Sequence, residues 1–197
     1  MTTRVGLSSY SFFPSFLVFL PGLRVIRGVE DVSNYDLVIF PGGSDINPRL
    51  YGKGFCGATG IDYNRDAVEL DIYARCKRLG TKVLGICRGH QLINALEGGI
   101  LEQDLRPEHS PVHDVMWIGD DPLEVFYPEV VNSMHHQGYS IGQMGSSLIP
   151  TSIEPETKIV ESARSENGKV LTVQFHPEFM DNTGPAFFNY IVNWSKE

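Results

Sequence analysis

Cysteine is scarce in this chain: three residues in 197, Cys56, Cys76 and Cys87, odd in number and widely spaced. Such a set excludes a disulfide framework and fits a reducing, cytoplasmic setting. Clustered positive charge is also missing. Sixteen Lys and Arg stand against 24 Asp and Glu, a formal charge of −8, with no block of like charge. A nucleic-acid groove needs clustered Lys and Arg to meet phosphates, so nucleic acid is excluded as a partner. Long apolar runs are absent too. Arg4 precedes an apolar stretch from Phe12 to Leu23, but Pro14, Ser15 and Pro21 interrupt it. It is too short to span a bilayer, and no small-x-small cleavage site follows it. Thr3 to Leu7 reads instead as a first strand, and no membrane partner is expected. Cys-x-x-Cys and His-Glu-x-x-His patterns do not occur. His109 and His113 are four apart, but Pro111 opposes a helix that would put both on one face. His135 and His136 are adjacent, and neighbouring side chains do not converge on one ion. Neither a metal nor another cofactor is expected.

What remains is the composition of a single soluble domain spanning residues 1–197. It is 42% hydrophobic and 20% charged, enough for one sizeable core. Strands are expected at Arg4 to Leu7, Leu23 to Ile26, Asp36 to Phe40, Lys82 to Ile86, Val112 to Ile118 and Val170 to Phe175. A helix is expected from Asp66 to Leu79, with Val68, Ile72, Cys76 and Leu79 on its core face and Gly80 as C-cap. A second closes the chain from Gly184 to Trp194. Alternating strands and helices predict an α/β fold, a mostly parallel sheet with helices on both faces. Ligands of such folds sit beyond the carboxyl ends of the strands.

Two segments carry chemistry. Gly85-Ile86-Cys87-Arg88-Gly89 follows the β-branched run of a buried strand and leads into a helix start at His90 to Leu96. A Gly-x-nucleophile-x-Gly turn there is a nucleophile elbow, whose glycines let the chain fold tightly enough to push one side chain out. A thiol at a helix N-terminus is favoured as thiolate, and the Arg88 N–H behind it is placed to stabilise an oxyanion. Far downstream, a second strand ends in His176-Pro177-Glu178. Proline biases His176 to an extended conformation, in which residues two apart face one side. Glu178 can then orient the imidazole, which completes the nucleophile, base and orienter of acyl transfer. Gly43, in a Pro-Gly-Gly loop after a strand, can aim a second N–H into the site; a plain turn is the alternative. Gln91, four residues past Cys87, can face the same pocket or lie on the helix surface. Cys76 reads as helix core, and Cys56 lies in a Gly-rich loop with no nearby base.

Gly85-Ile86-Cys87-Arg88-Gly89-His90-Gln91 and Gln174-Phe175-His176-Pro177-Glu178 resemble the class I glutamine amidotransferase family. Further segments are similar to its γ-glutamyl-γ-aminobutyrate hydrolase (peptidase C26-like) branch: Pro41-Gly42-Gly43-Ser44-Asp45 through Pro48 to Tyr51-Gly52, Arg65-Asp66, and Val131-Asn132-Ser133-Met134-His135-His136-Gln137. The resemblance runs from about Leu37 to Glu178. It implies a flavodoxin-like fold and a Cys87, His176, Glu178 triad that forms a γ-glutamyl thioester. It also implies a backbone oxyanion hole from Gly43 and Arg88, and substrate contacts at Gln91, Ser133, Met134 and His135. The stretch before Pro41 is shorter than in that branch, and His90 stands where the family often places an apolar or small residue. A free-standing hydrolase of γ-glutamyl amides is the first expectation. A glutaminase subunit that passes ammonia to a separate synthetase is the alternative, and a non-catalytic binding protein of the same fold the third. The implied partners are a small γ-glutamyl substrate, a synthetase in the second case, and a second copy of the chain as a homodimer.

Overall fold

The computed structural model describes residues 2–105, 111–119, 121–127 and 129–197. Ten strands occur among these residues: β1 (Val5–Leu7), β2 (Arg24–Val25), β3 (Leu37–Phe40), β4 (Lys82–Ile86), β5 (Val112–Asp114), β6 (Met116–Trp117), β7 (Val130–Asn132), β8 (Leu148–Ile153), β9 (Val160–Ser165) and β10 (Val170–Val173). The α-helices are α1 (Phe13–Phe19), α2 (Tyr63–Leu79), α3 (Arg88–Leu96) and α4 (Gly184–Trp194). The large sheet has the order β2-β1-β3-β4-β10-β9-β8-β6. Its first five strands are parallel, and the last three join antiparallel. The chain is therefore α/β with a mostly parallel sheet, as its strand–helix alternation predicts.

Side chains alternate across β3 and β4, and this sorts the two cores. Leu37, Ile39, Leu84 and Ile86 face α1 and α4, where Phe16, Phe187, Phe188 and Ile191 are buried. Val38, Phe40 and Val83 face α2 and α3, against Ile72, Tyr73, Cys76, Leu92 and Ile93. Helix α1 lies in the apolar stretch that contains Pro14, where no helical pattern stands out in the sequence. Pro14 sits in the first turn, where its missing N–H costs nothing. Phe19 stacks on Phe188 with ring centroids 4.9 Å apart. Tertiary packing, rather than propensity, stabilises so short a helix.

Four expectations need correction. The expected strand Val112 to Ile118 is two strands in different sheets: β5 pairs with β7, while β6 pairs with β8 at the edge of the large sheet. The chain changes partner at Val115, whose N–H donates to the Glu129 carbonyl. The strand before His176 ends at Val173, not Phe175. Helix α2 starts earlier than Asp66, because the Asp62 side chain accepts from the Arg65 N–H and caps it. Its buried face is Asp66, Glu69, Ile72, Tyr73 and Cys76, while Val68 and Leu79 are exposed. Two acids on a core face signal a buried charge network. Gly80 ends the helix in the left-handed conformation, as expected.

Candidate active site

Adjacent parallel strands bring the site together. Strand β4 pairs with β3 on one side and β10 on the other, so the segments that follow all three emerge on one edge. Cys87 follows β4 at φ 51° and ψ −103°. A bulky residue in that region is strained, by about 1–3 kcal/mol, and the turn is held because its N–H bonds the Val173 carbonyl and its own carbonyl accepts from Gln91. The glycines make the turn feasible: a Cβ on Gly85 would meet the Gly89 backbone at 2.9 Å, and one on Gly89 would collide with the Phe40 carbonyl.

His176 follows β10. Its Nδ1 lies 2.7 Å from Glu178 Oε1, with both side chains buried. The contact does not arise along an extended path: Pro177–Phe179 form a single 3-10 turn, which swings Glu178 back beneath the ring. The Cys87 thiol acts on the same ring and favours its charged form. Burial by itself would push the imidazole pKa down, but Cys87 and Glu178 outweigh it and raise His176 to about 10. With Nδ1–H donating to the carboxylate, Nε2 is left for the thiol.

Asn132, to which the sequence motif attaches no role, holds the histidine backbone. Its Oδ1 accepts from the His176 N–H at 2.8 Å, and its Nδ2 donates to the His176 carbonyl at 2.9 Å. Two aromatic rings confine the imidazole further: Phe12 edge-on at 5.6 Å and Phe179 tilted at 5.5 Å. Phe12 comes from the segment before Pro41 and forms one wall of the site. No short-range pattern announces a contact between residues at opposite ends of the chain.

The remaining expected residues divide. Gly42 passes so close to His176 that a Cβ there would lie 2.6 Å from the ring. Gly43 has φ 147°, and the space a side chain would need is filled by the Arg65 guanidinium. Ser133 is buried with its N–H on the Pro111 carbonyl, Met134 is exposed, and His135 is half-buried with Nδ1 2.8 Å from the Gln137 carbonyl. Gln91 is buried; its amide nitrogen donates to the Gln137 carbonyl at 3.0 Å and to Gln174 at 3.2 Å. His136 reaches Asp45 at 3.0 Å, which ties this loop to the one after β3. His90 turns away from Cys87: it stacks on Tyr139 at 4.6 Å, with its ring nitrogens on Thr172 and Val160. His109 lies outside the described residues, and His113 is enclosed between Glu154 and Glu161 at 3.5 and 3.4 Å. Among the described residues no cluster of three or more His, Cys, Asp or Glu is disposed to hold a metal ion, and no helix is long and apolar enough to cross a membrane.

This fold and edge are those of class I glutamine amidotransferase-like proteins. The glutaminase domain of the Trypanosoma brucei CTPS, solved with bound acivicin, superposes with a TM-score of 0.72 at 13% identity, covering 100% of this chain and 95% of that one. The profile of the Peptidase C26 family matches residues 18–178, and the chain belongs to that family. It is 33% identical to the glutamine amidotransferase-like protein YvdE of Lactococcus lactis, over 89% of this chain and 82% of that protein. It is 24% identical to anthranilate synthase component 2 of Saccharolobus solfataricus, over 78% of this chain and 72% of that protein.

Proposed function

We propose that this protein hydrolyses γ-glutamyl amide bonds, in glutamine or γ-glutamyl amines, through a γ-glutamyl thioester on Cys87. One observation carries it: a thiol on a strained elbow beside an imidazole whose far nitrogen is 2.7 Å from a buried carboxylate. His176 already holds the shared proton on Nε2, and the Cys87 thiolate attacks the amide carbonyl carbon. The developing oxyanion takes N–H bonds from Gly43 and Arg88. The C–N bond breaks as His176 passes that proton to the leaving nitrogen, and the amine departs. Water, losing a proton to His176, then attacks the thioester carbonyl. Glutamate is released, the sulfur leaves as thiolate, and the proton stays on His176. Glu178 holds the tautomer and stabilises the imidazolium. Ser133, Met134 and His135 bound the side on which the glutamyl group sits, with Gln91 bracing that loop through Gln137.

A second reading makes the chain a glutaminase subunit that passes ammonia to a synthetase. Its likeness to anthranilate synthase component 2 favours that reading. Both routes share the thioester, so turnover by the isolated protein separates them. Amine or ammonia release is measured across glutamine and a panel of γ-glutamyl amides, on the order of 1 s⁻¹ being expected for the hydrolase. Turnover hundreds of times slower until a second protein is added supports the synthetase partnership. No turnover under either condition, with Cys87 no more reactive to limiting iodoacetamide than Cys56, refutes both.

A further inference from the structure

Beneath the loop that follows β3 lie four charged side chains, all nearly or fully buried: Arg65, Asp66, Glu69 and Arg88. Three come from the first turns of α2, and the fourth is the residue after the nucleophile. Arg65 Nε donates to Glu69 Oε1 at 3.1 Å, Nη1 to Ser11 Oγ at 2.8 Å and Nη2 to the Pro41 carbonyl at 2.8 Å. Glu69 also accepts from Ser8 Oγ at 2.5 Å, and its second oxygen accepts from Arg88. Arg88 reaches Asp66 at 2.5 Å, and the other oxygen of Asp66 accepts from the Asn47 N–H at 2.9 Å. The network thus grips the loop at both ends, Pro41 through Arg65 and Asn47 through Asp66. It runs without a break to Arg88.

Two positive and two negative groups cancel in charge, but burying ion pairs is a poor route to stability, since desolvation costs much of the Coulomb gain. What the network supplies is geometry. A Pro-Gly-Gly loop is free to rotate its peptides, and the Arg65 guanidinium packs directly against Gly43, in the space a side chain there would fill. We propose that Arg65 is a positioning residue that holds the Gly42–Gly43 loop in place in the isolated chain, so that both oxyanion donors are assembled without a synthetase. This rests on the γ-glutamyl amidohydrolase reading and extends it from chemistry to regulation.

The test compares wild type, Arg65→Gln and Arg65→Lys in three measurements: kcat and KM for a γ-glutamyl amide, the rate of Cys87 alkylation by iodoacetamide, and cooperative thermal unfolding. Alkylation needs the thiol and His176 but no oxyanion hole. Arg65→Gln is expected to lower kcat about 10²-fold, the effect of one misplaced donor, with KM and alkylation within about threefold. Arg65→Lys keeps the charge beside Glu69 but cannot hold Pro41 and Ser11 together, and should fall between the two. If Arg65→Gln does not fold, Arg65→Lys decides. A folded variant with unchanged kcat overturns the proposal, as does alkylation that falls in parallel with kcat. A wild type that needs a partner for turnover overturns it too. An inactive wild type with an unreactive Cys87 defeats the amidohydrolase reading instead, and so is distinguishable.

Discussion

Gly42→Ala puts one methyl group where the structure has no room for it. The added Cβ would lie 2.6 Å from His176 Cε1 and 3.1 Å from Phe12 Cε2. Carbon atoms pack comfortably at about 3.5–4.0 Å, so the ring or the loop must shift by roughly 1 Å. The backbone of Gly42 lies outside the left-handed region, so alanine adds no strain of its own. Nor can the imidazole retreat freely. Its Nδ1 is bound to Glu178, its main chain to Asn132, and Phe12 and Phe179 flank it. Displacement of a reacting group by about 1 Å costs on the order of 10²-fold, equivalent to about 2.7 kcal/mol of barrier. Overpacking at a single position destabilises by about 1–3 kcal/mol, or a Tm loss of several degrees for a chain of this length. The assay is kcat/KM for a γ-glutamyl amide, set beside Tm and near-UV circular dichroism. A folded Gly42→Ala protein with kcat/KM within about threefold of wild type would refute the reasoning, because it would mean that the imidazole is not confined.

Glu178→Gln removes the acceptor charge at 2.7 Å from Nδ1 and is expected to lower kcat/KM by about 10²- to 10⁴-fold; a silent substitution in steady-state kinetics would discard Glu178 as the orienter. Asn132→Ala deletes two hydrogen bonds to the His176 main chain, and about 10-fold lower kcat with unchanged iodoacetamide access to Cys76 is the expected signature. Burial holds His90 down to about 3, against 6.5 when free. The unfolded chain therefore binds this proton first, so the contribution is complete above about pH 6.5 and drains as pH falls toward 3, by up to about 5 kcal/mol. His90→Gln should flatten the acid side of urea midpoints measured from about pH 7.5 to 4.5, and an unchanged slope would contradict the assignment. His176, raised to about 10, acts in the opposite sense: its contribution is complete below about pH 6.5 and is lost as pH climbs through 10.

Local chemistry decided a good part of this protein. The run Lys82–Ile86, buried throughout, could only be a strand at the heart of a sheet, and Gly85 and Gly89 around Cys87 allow the sharp turn into α3. Gly80 ends α2 by a cap that neighbouring residues satisfy. These are interactions within a few residues, and a sequence states them directly. The partner-changing segment at Val115, strands β8 and β9, and helix α1 were not legible, because each owes its form to distant surfaces. The β8–β9 pair buries Thr151, Ser152 and Ser162, whose hydroxyls satisfy one another at 2.6–2.7 Å. No apolar alternation betrays such strands. The same holds for α2, whose helical period was plain while its buried face was not. Asp66 and Glu69 go inside because distant partners meet them there, Arg88 above all, 22 and 19 residues further on. Helical spacing announces which residues share a face, but the charge on the opposing surface decides which face is buried. The meeting of Cys87 with His176 is of this second kind. Each follows its own strand, and only the parallel pairing of β4 with β10 sets thiol and imidazole on one edge.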